Sequence, residues 1–338
     1  MIALLLTTLA LAQTPAVFDE PAAVEHGSTL LARADGGMLL CWYAGSAEAH
    51  RDVKIYCRER PAGGEWSRAR VAIEPGYRPA NGVLPVGKVA NAALVQNSQG
   101  IVTLFWAAIP LTGGFSNTRI DYASSADGGR TWSHPRRLDD DFGAMVRSKP
   151  LSLGNDEFLL PAYDELALDK YGYTWRLRLR DGRAQKLRHD RIPLKGHIQP
   201  ALVRCGDTIC AYMRNKDRGL TWVSKWEGER WGAGLETNLP NSNSPVDGVK
   251  LADGRVLLIY NASAVRPRAP LSLAVSRDGV CFEKVEDLEA DLAKDHHYPA
   301  MVMDAQGAVH VSYTHPNRDS IKYVPLAGRS WPRQGCSR

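Results

Sequence analysis

The sequence predicts an all-β protein folded as one six-bladed β-propeller, and three observations lead there. A Gly-centred turn followed by a strongly β-prone run recurs six times along the 338 residues. Short apolar stretches of strand length flank each run. No amphipathic helix of useful length competes; VEDLEADLAKD is one short candidate. An all-β chain with regular units of this size suits a propeller, in which each unit is a four-stranded blade.

The elements follow in order. With Gly37, Gly100, Gly154, Gly206, Gly254 and Gly307 as markers, the spacings are 63, 54, 52, 48 and 53 residues. The first unit reads TLLARA, then GMLLCWYAG, then VKIYCRE. The second reads AALVQN, GIVTLFWAA and RIDYASS, and the third KPLSL and GNDEFLLPAY. The fourth reads QPALVR, CGDTICAYM and LTWVSK, and the fifth GVKLA, DGRVLLIYN and LSLAVS. The sixth reads PAMVMD, QGAVHVSYT and IKYVPL. Pairing of IKYVPL with N-terminal residues would close the ring and remove its open edges. A pair of β-sandwiches is the competing architecture. Six similar units with no linker between them favour a single domain over residues 13–338.

Composition sets bounds on function. Hydrophobic residues make up 44% and charged residues 23%, which excludes a disordered or collagen-like chain. A net charge of +5 over this length is too small an excess to argue for nucleic acid. MIALLLTTLALA is apolar, ends in small residues and is too short to span a bilayer, so we read residues 1–12 as a signal peptide. No other segment suits a membrane span. The expected location is secreted or periplasmic, where disulfides persist. Cys205 and Cys210 flank a short turn, Cys41 and Cys57 lie in neighbouring strand-like runs, and Cys281 is left with Cys336. No C-x-x-C spacing occurs, so no metal is expected, and no G-x-G-x-x-G or P-loop string is found, so no cofactor is expected. His296, His297 and His315 form the nearest thing to a metal set, but adjacent strand residues point opposite ways.

Ser125-Ala126-Asp127-Gly128-Gly129-Arg130-Thr131-Trp132 reads S-x-D-x-G-x-T-W. Its Asp can accept bonds from the turn's own amides, Gly supplies positive φ, and Trp plugs the blade. Ser276 to Phe282 is a copy one residue shorter, with Phe282 in the Trp role. Asp217 to Trp222 resembles a third copy, but it runs into the expected third strand and is discounted. The motif is similar to the Asp-box, or BNR repeat, of sialidase-type propellers. HGSTLLARADGG, VRSKPLSL, HIQPALV, LPNSNSPVDGVKLADGRVLLIYN and YPAMVMDAQGAVHVSYTHPNRDSIKYV extend the resemblance to bacterial BNR-repeat predicted neuraminidases over nearly all of residues 25–326.

In a propeller, the second-to-third strand loops and the starts of the inner strands gather on one face at the axis. Here those segments carry ionisable and amide side chains, including His26, Glu48, Asp52, Asn91, Lys149, Glu165, Gln199, Asn243 and Asp247. The resemblance implies a carboxylate substrate held by guanidinium groups, an acid for the leaving oxygen, and a tyrosine nucleophile activated by a carboxylate. By repeat position, Arg214 and Arg268 resemble the second and third arginines of that triad, Tyr298 the nucleophile, and Glu48 or Asp52 the acid. Two departures stand out. His26 occupies the first arginine's place, and Gln199 that of the activating carboxylate. Glu165 is the substitute carboxylate this reading offers, and Arg147, Lys149, Arg51 or Arg318 the substitute cation.

The function expected is therefore an exported, monomeric glycoside hydrolase of sialidase type, acting from the end of an acidic or polar oligosaccharide or polysaccharide. The rivals are an arabinan-cleaving exo-glycosidase, a polysaccharide lyase using Tyr298 with His297 or His26, and a glycan-binding propeller without catalysis.

Overall fold

The computed structural model describes residues 14–20, 22–166, 170–217, 219–331 and 336. Residues 1–12, expected to be a signal peptide, lie outside them. A short strand, β1 (Ala16–Phe18), comes first. Blade 1 is β2 (Val24–Ala32), β3 (Met38–Gly45), β4 (Lys54–Arg60) and β5 (Arg70–Ile73). Blade 2 is β6 (Val86–Gln96), β7 (Val102–Pro110), β8 (Arg119–Ser125) and β9 (Arg136–Asp139). Blade 3 has β10 (Ala144–Val146) and β11 (Leu151–Gly154) side by side with β12 (Glu157–Asp164), then β13 (Tyr171–Arg180) and β14 (Arg183–Lys195). Blade 4 is β15 (His197–Cys205), β16 (Thr208–Asn215), β17 (Gly219–Lys225) and β18 (Leu235–Asn241). Blade 5 is β19 (Asp247–Lys250), β20 (Val256–Asn261), β21 (Leu271–Ser276) and β22 (Glu283–Glu289). Blade 6 is β23 (His297–Met303), β24 (Val309–His315) and β25 (Ser320–Pro325), and β1 supplies its outer strand.

All pairings are antiparallel, as hairpin-connected meanders require. Strand β1 joins β25 in the register Ala16↔Tyr323, Val17↔Lys322, Phe18↔Ile321, so the first residues close the ring as the sequence predicts. Neighbouring blades meet through apolar clusters. Leu39, Ile55, Leu94 and Trp106 fill the space between blades 1 and 2, and Val203, Tyr212, Leu258 and Phe282 that between blades 4 and 5. Three disulfides, Cys41–Cys57, Cys205–Cys210 and Cys281–Cys336, match the expected pairings.

Two local readings are corrected. KPLSL is not a continuous inner strand. Pro150 offers no amide to a ladder, and the chain splits there into β10 and β11. VEDLEADLAKD begins inside β22 and continues into a turn. No helix among the described residues is long and apolar enough to cross a membrane.

Candidate active site

The site begins with a repeated backbone irregularity. Inner strands β2, β6, β15 and β23 each slip register near their starts, between His26 and Thr29, Ala90 and Ala92, Ile198 and Ala201, and His297 and Ala300. At each slip one residue takes a positive φ: Gly27 (+67°), Asn91 (+21°), Gln199 (+56°) and Tyr298 (+50°). A bulge of this kind re-aims a side chain, and for Gln and Tyr the left-handed backbone costs about 1 kcal/mol or more. Asn243, just before β19, is at +61°. The chain thus spends strain on turning side chains and carbonyls toward the propeller axis.

Tyr298 is buried at the centre. Gln199 Nε2 donates to its hydroxyl at 3.4 Å, the His26 ring packs edgewise on it with centroids 4.3 Å apart, and the Arg147 guanidinium lies 5.5 Å from its ring centre. Among the described residues, no carboxylate hydrogen-bonds to it. The hydroxyl of Tyr163, at the end of β12, accepts from Asn91 Nδ2 and Gln199 Nε2, both at 3.0 Å. On the other side Tyr43 stands edge-on to His26 and donates to Glu48 Oε1 at 3.3 Å, and Arg318 pairs with the same carboxylate. Arg268 donates to the Asn243 carbonyl at 2.9 Å and lies 3.0 Å from His297 Nδ1. Arg214 reaches that carbonyl at 3.5 Å. The positive φ of Asn243 therefore gathers two guanidinium groups.

The electrostatics are lopsided. Arg147, Arg214, Arg268 and Arg318 share the cluster, and only Arg318 has a carboxylate partner among the described residues. Arg147 hydrogen-bonds to the Val246 and Pro299 carbonyls and to Ser148. Burial lowers Arg147 and brings Arg268 down to about 10, which leaves it charged at neutral pH. Burial holds His26 well below its usual value and, with Arg268 beside it, pushes His297 down to about 3, so both rings are neutral. Of the buried polar atoms without a hydrogen-bond partner among the described residues, six fall in this cluster: His26 Nε2, Gln199 Oε1, Asn243 Oδ1, and the Nε atoms of Arg147, Arg214 and Arg268. Such groups cost about 1–3 kcal/mol each when left unmet, so their concentration here marks a surface made for a polar ligand.

Nine sequence-predicted residues thus meet in one cluster: His26, Glu48, Asn91, Gln199, Arg214, Asn243, Arg268, Tyr298 and Arg318. Four do not join it. Asp52 is half exposed and bonded to His50 and Ser46, and the His50 contact leads in holding its carboxyl below the usual range. Glu165 borders the cluster behind Tyr163 but pairs with Lys170. Lys149 and Asp247 pair with each other at 2.6 Å between inner strands, and Asp247 also accepts the Met301 amide at 2.8 Å. Lys149 faces the other mouth of the axis, a cavity of about 320 Å³ reached by Arg33, Asn97 and Met303. Tyr43 and Tyr163 went unread. Each ends a second strand, in CWYAG and LPAYDE, much as the buried structural Tyr212 and Tyr313 do in CAYM and VSYT.

A six-bladed propeller with a tyrosine and several arginines at its axis defines a sialidase-like architecture. Over residues 36–311 the sequence matches the family model described as a BNR repeat-like domain, and the chain belongs to that family. No curated protein matches the sequence. Among solved structures, the chain is similar to the intramolecular trans-sialidase from Ruminococcus gnavus, at 10% identity and TM-score 0.73, covering 94% of this chain and 98% of that one. The NanB sialidase from Streptococcus pneumoniae matches at 12% identity and TM-score 0.72, over 92% and 70% of the two chains. A protein of unknown function from Dyadobacter fermentans matches at 14% identity and TM-score 0.68, over 92% and 96%. At these identities the likeness is one of fold.

Proposed function

We propose that the chain is an exported glycosidase of sialidase type that removes an anionic sugar from the end of a glycan. One observation carries the reading: four guanidinium groups converge on Tyr298, and three of them lack a carboxylate partner among the described residues. Such an excess of cations fits a substrate carboxylate, which guanidinium binds in a fork. Glu48, partly exposed at the rim, is the group that protonates the leaving oxygen. Tyr298 attacks the anomeric carbon as the glycosidic bond breaks, and its phenolic proton passes to neutral His26. The Gln199 amide and Arg147 stabilise the developing phenolate, in place of an activating carboxylate. Water, with Glu48 as base, then displaces the Tyr298 oxygen from the sugar, and that oxygen takes its proton back from His26. The three disulfides support export.

A second reading rests on the pairing of Tyr298 with neutral His26. These two are suited to β-elimination from a uronate, in which the arginines would stabilise the carbanion. Secreted protein incubated with aryl glycosides of acidic sugars and with acidic oligosaccharides, and read by product mass, separates the possibilities. Hydrolysis adds one water, and Tyr298→Phe and Glu48→Gln each cut turnover by about 10²–10⁴ while binding persists. An unsaturated product absorbing in the ultraviolet, insensitive to Glu48→Gln, establishes the lyase instead. Binding without turnover in the parent protein overturns both.

A further inference from the structure

Behind the active site, on the opposite face of the same strand start, lies a second constellation. His296 precedes β23 and points away from His297, so the two adjacent rings serve different clusters. The His296 ring stacks on His315, at the end of β24, with an interplanar angle of 22°. Glu289, at the end of β22, completes the group. His296 Nδ1 lies 3.3 Å from His315 Nδ1, and His315 Nδ1 lies 3.5 Å from Glu289 Oε1. One donor atom from each of the three residues falls within 4.8 Å of the other two.

We infer that Glu289, His296 and His315 form a binding site for a divalent transition metal, with zinc as the ion it suits best. Zinc binds imidazole nitrogen and carboxylate oxygen at about 2.0–2.2 Å, so two donors on a tetrahedral sphere stand roughly 3.3–3.5 Å apart. The edge between the two imidazole nitrogens already has that length, and a rotation of the Glu289 carboxylate, whose Oε1 lies 3.5 Å from His315, turns Oε2 toward the ion. His315 and Glu289 retain 21% and 15% side-chain exposure, which leaves a path from solvent. With three protein ligands, the fourth position falls to water.

Lys322 and Tyr313 shape the affinity. Both contact Glu289 Oε1. Oε2 makes no hydrogen bond to them, and the ion takes the carboxylate from that side. The ammonium of Lys322 repels a dication, so the site is weaker than a bare His₂Glu set, and removing that charge tightens it. The ion would tie together the ends of β22 and β24 and the start of β23, two residues before Tyr298. Its role is to hold that strand start in place; it is independent of the reaction assigned to the pocket.

The test uses tag-free, chelator-treated protein titrated with zinc chloride in a calorimeter, with cobalt(II) absorption as a second readout. One zinc per chain is expected, with a raised melting temperature and the intense visible bands of low-coordinate cobalt. His315→Gln should lose at least tenfold in affinity, Lys322→Met should gain several-fold, and Tyr298→Phe should change neither. Failure of the folded parent chain to bind zinc, or equal binding by His315→Gln judged folded by circular dichroism, would overturn the inference. If His315→Gln does not fold, Lys322→Met decides: zinc affinity equal to the parent's refutes the site.

Discussion

Glu25 shows what one buried charge does here. It sits beside His26 in β2, its side chain is sealed from solvent, and its Oε2 has no hydrogen-bond partner among the described residues. Burial raises its pKa to about 7, despite the Glu20 amide at Oε1. A raised carboxyl stabilises the fold below its unfolded value of 4.5, and that stability is lost as pH climbs through 7. Glu25→Gln should therefore match the parent below about pH 4.5 and exceed it by about 1–3 kcal/mol at pH 8, from pKa linkage. Denaturant melts across that range check it, and a difference that does not vary with pH would refute the assignment. The residue scale is also where the sequence was hardest to read. Arg214, Arg268 and Tyr298 were legible because loop positions recur in phase with the repeat. Lys149 and Asp247 misled because a polar residue at a strand start looks the same whether it faces a pocket or a neighbouring inner strand. Glu48 and Asp52 share one loop, and only the folded turn shows that Glu48 reaches Tyr43 while Asp52 bends back to His50.

At the scale of elements, the turn motif does its work through one carboxylate. Asp127 accepts from the amides of Arg130 at 3.0 Å and Thr131 at 2.9 Å, and from the Thr131 hydroxyl at 2.6 Å. Partial burial pushes its pKa up, but the bonds from Thr131, Ser125 and Arg130 outweigh this and hold it far below the usual range. In the shortened copy, Asp278 accepts the Val280 and Cys281 amides, both at 2.8 Å. The turn therefore survives loss of a residue because the carboxylate still reaches two consecutive amides. Asp127→Ala should cost about 1–2 kcal/mol, as loss of a cap-like carboxylate does. Asp127→Asn should cost less, since an amide oxygen still accepts. Equal denaturation midpoints for parent and Asp127→Ala would show that the turn holds without its carboxylate. The split of β10 from β11 was not legible, because the β-prone character of KPLSL hid the missing amide of Pro150.

For the whole molecule, the number of blades was readable because each repeat carries its own turn and strands, so counting turns counts blades. The closing contact was readable for a different reason: an unpaired last strand needs a partner, and the residues N-terminal to blade 1 can supply it. That closure is small. Strand β1 contributes three residues, and Val17 is 55% exposed. Phe18 is the plug, 5% exposed, packed edge-on to Trp66 with centroids 5.5 Å apart, stacked on Trp42 and capped by the Arg58 guanidinium 4.7 Å from its ring centre. Truncating a buried Phe removes its transfer energy and leaves a cavity, at about 3–5 kcal/mol. In a ring, the same change also frees β25 to fray, since no other element among the described residues pairs with its outer edge. Phe18→Ala should therefore lower the denaturation midpoint by that amount and speed hydrogen exchange at those β25 amides that face β1. Val17→Ala should stay within about 0.5 kcal/mol of the parent, as exposed substitutions do. Protection at β25 that survives Phe18→Ala would mean that β1 is held by its backbone pairing alone, and that the ring does not depend on its plug.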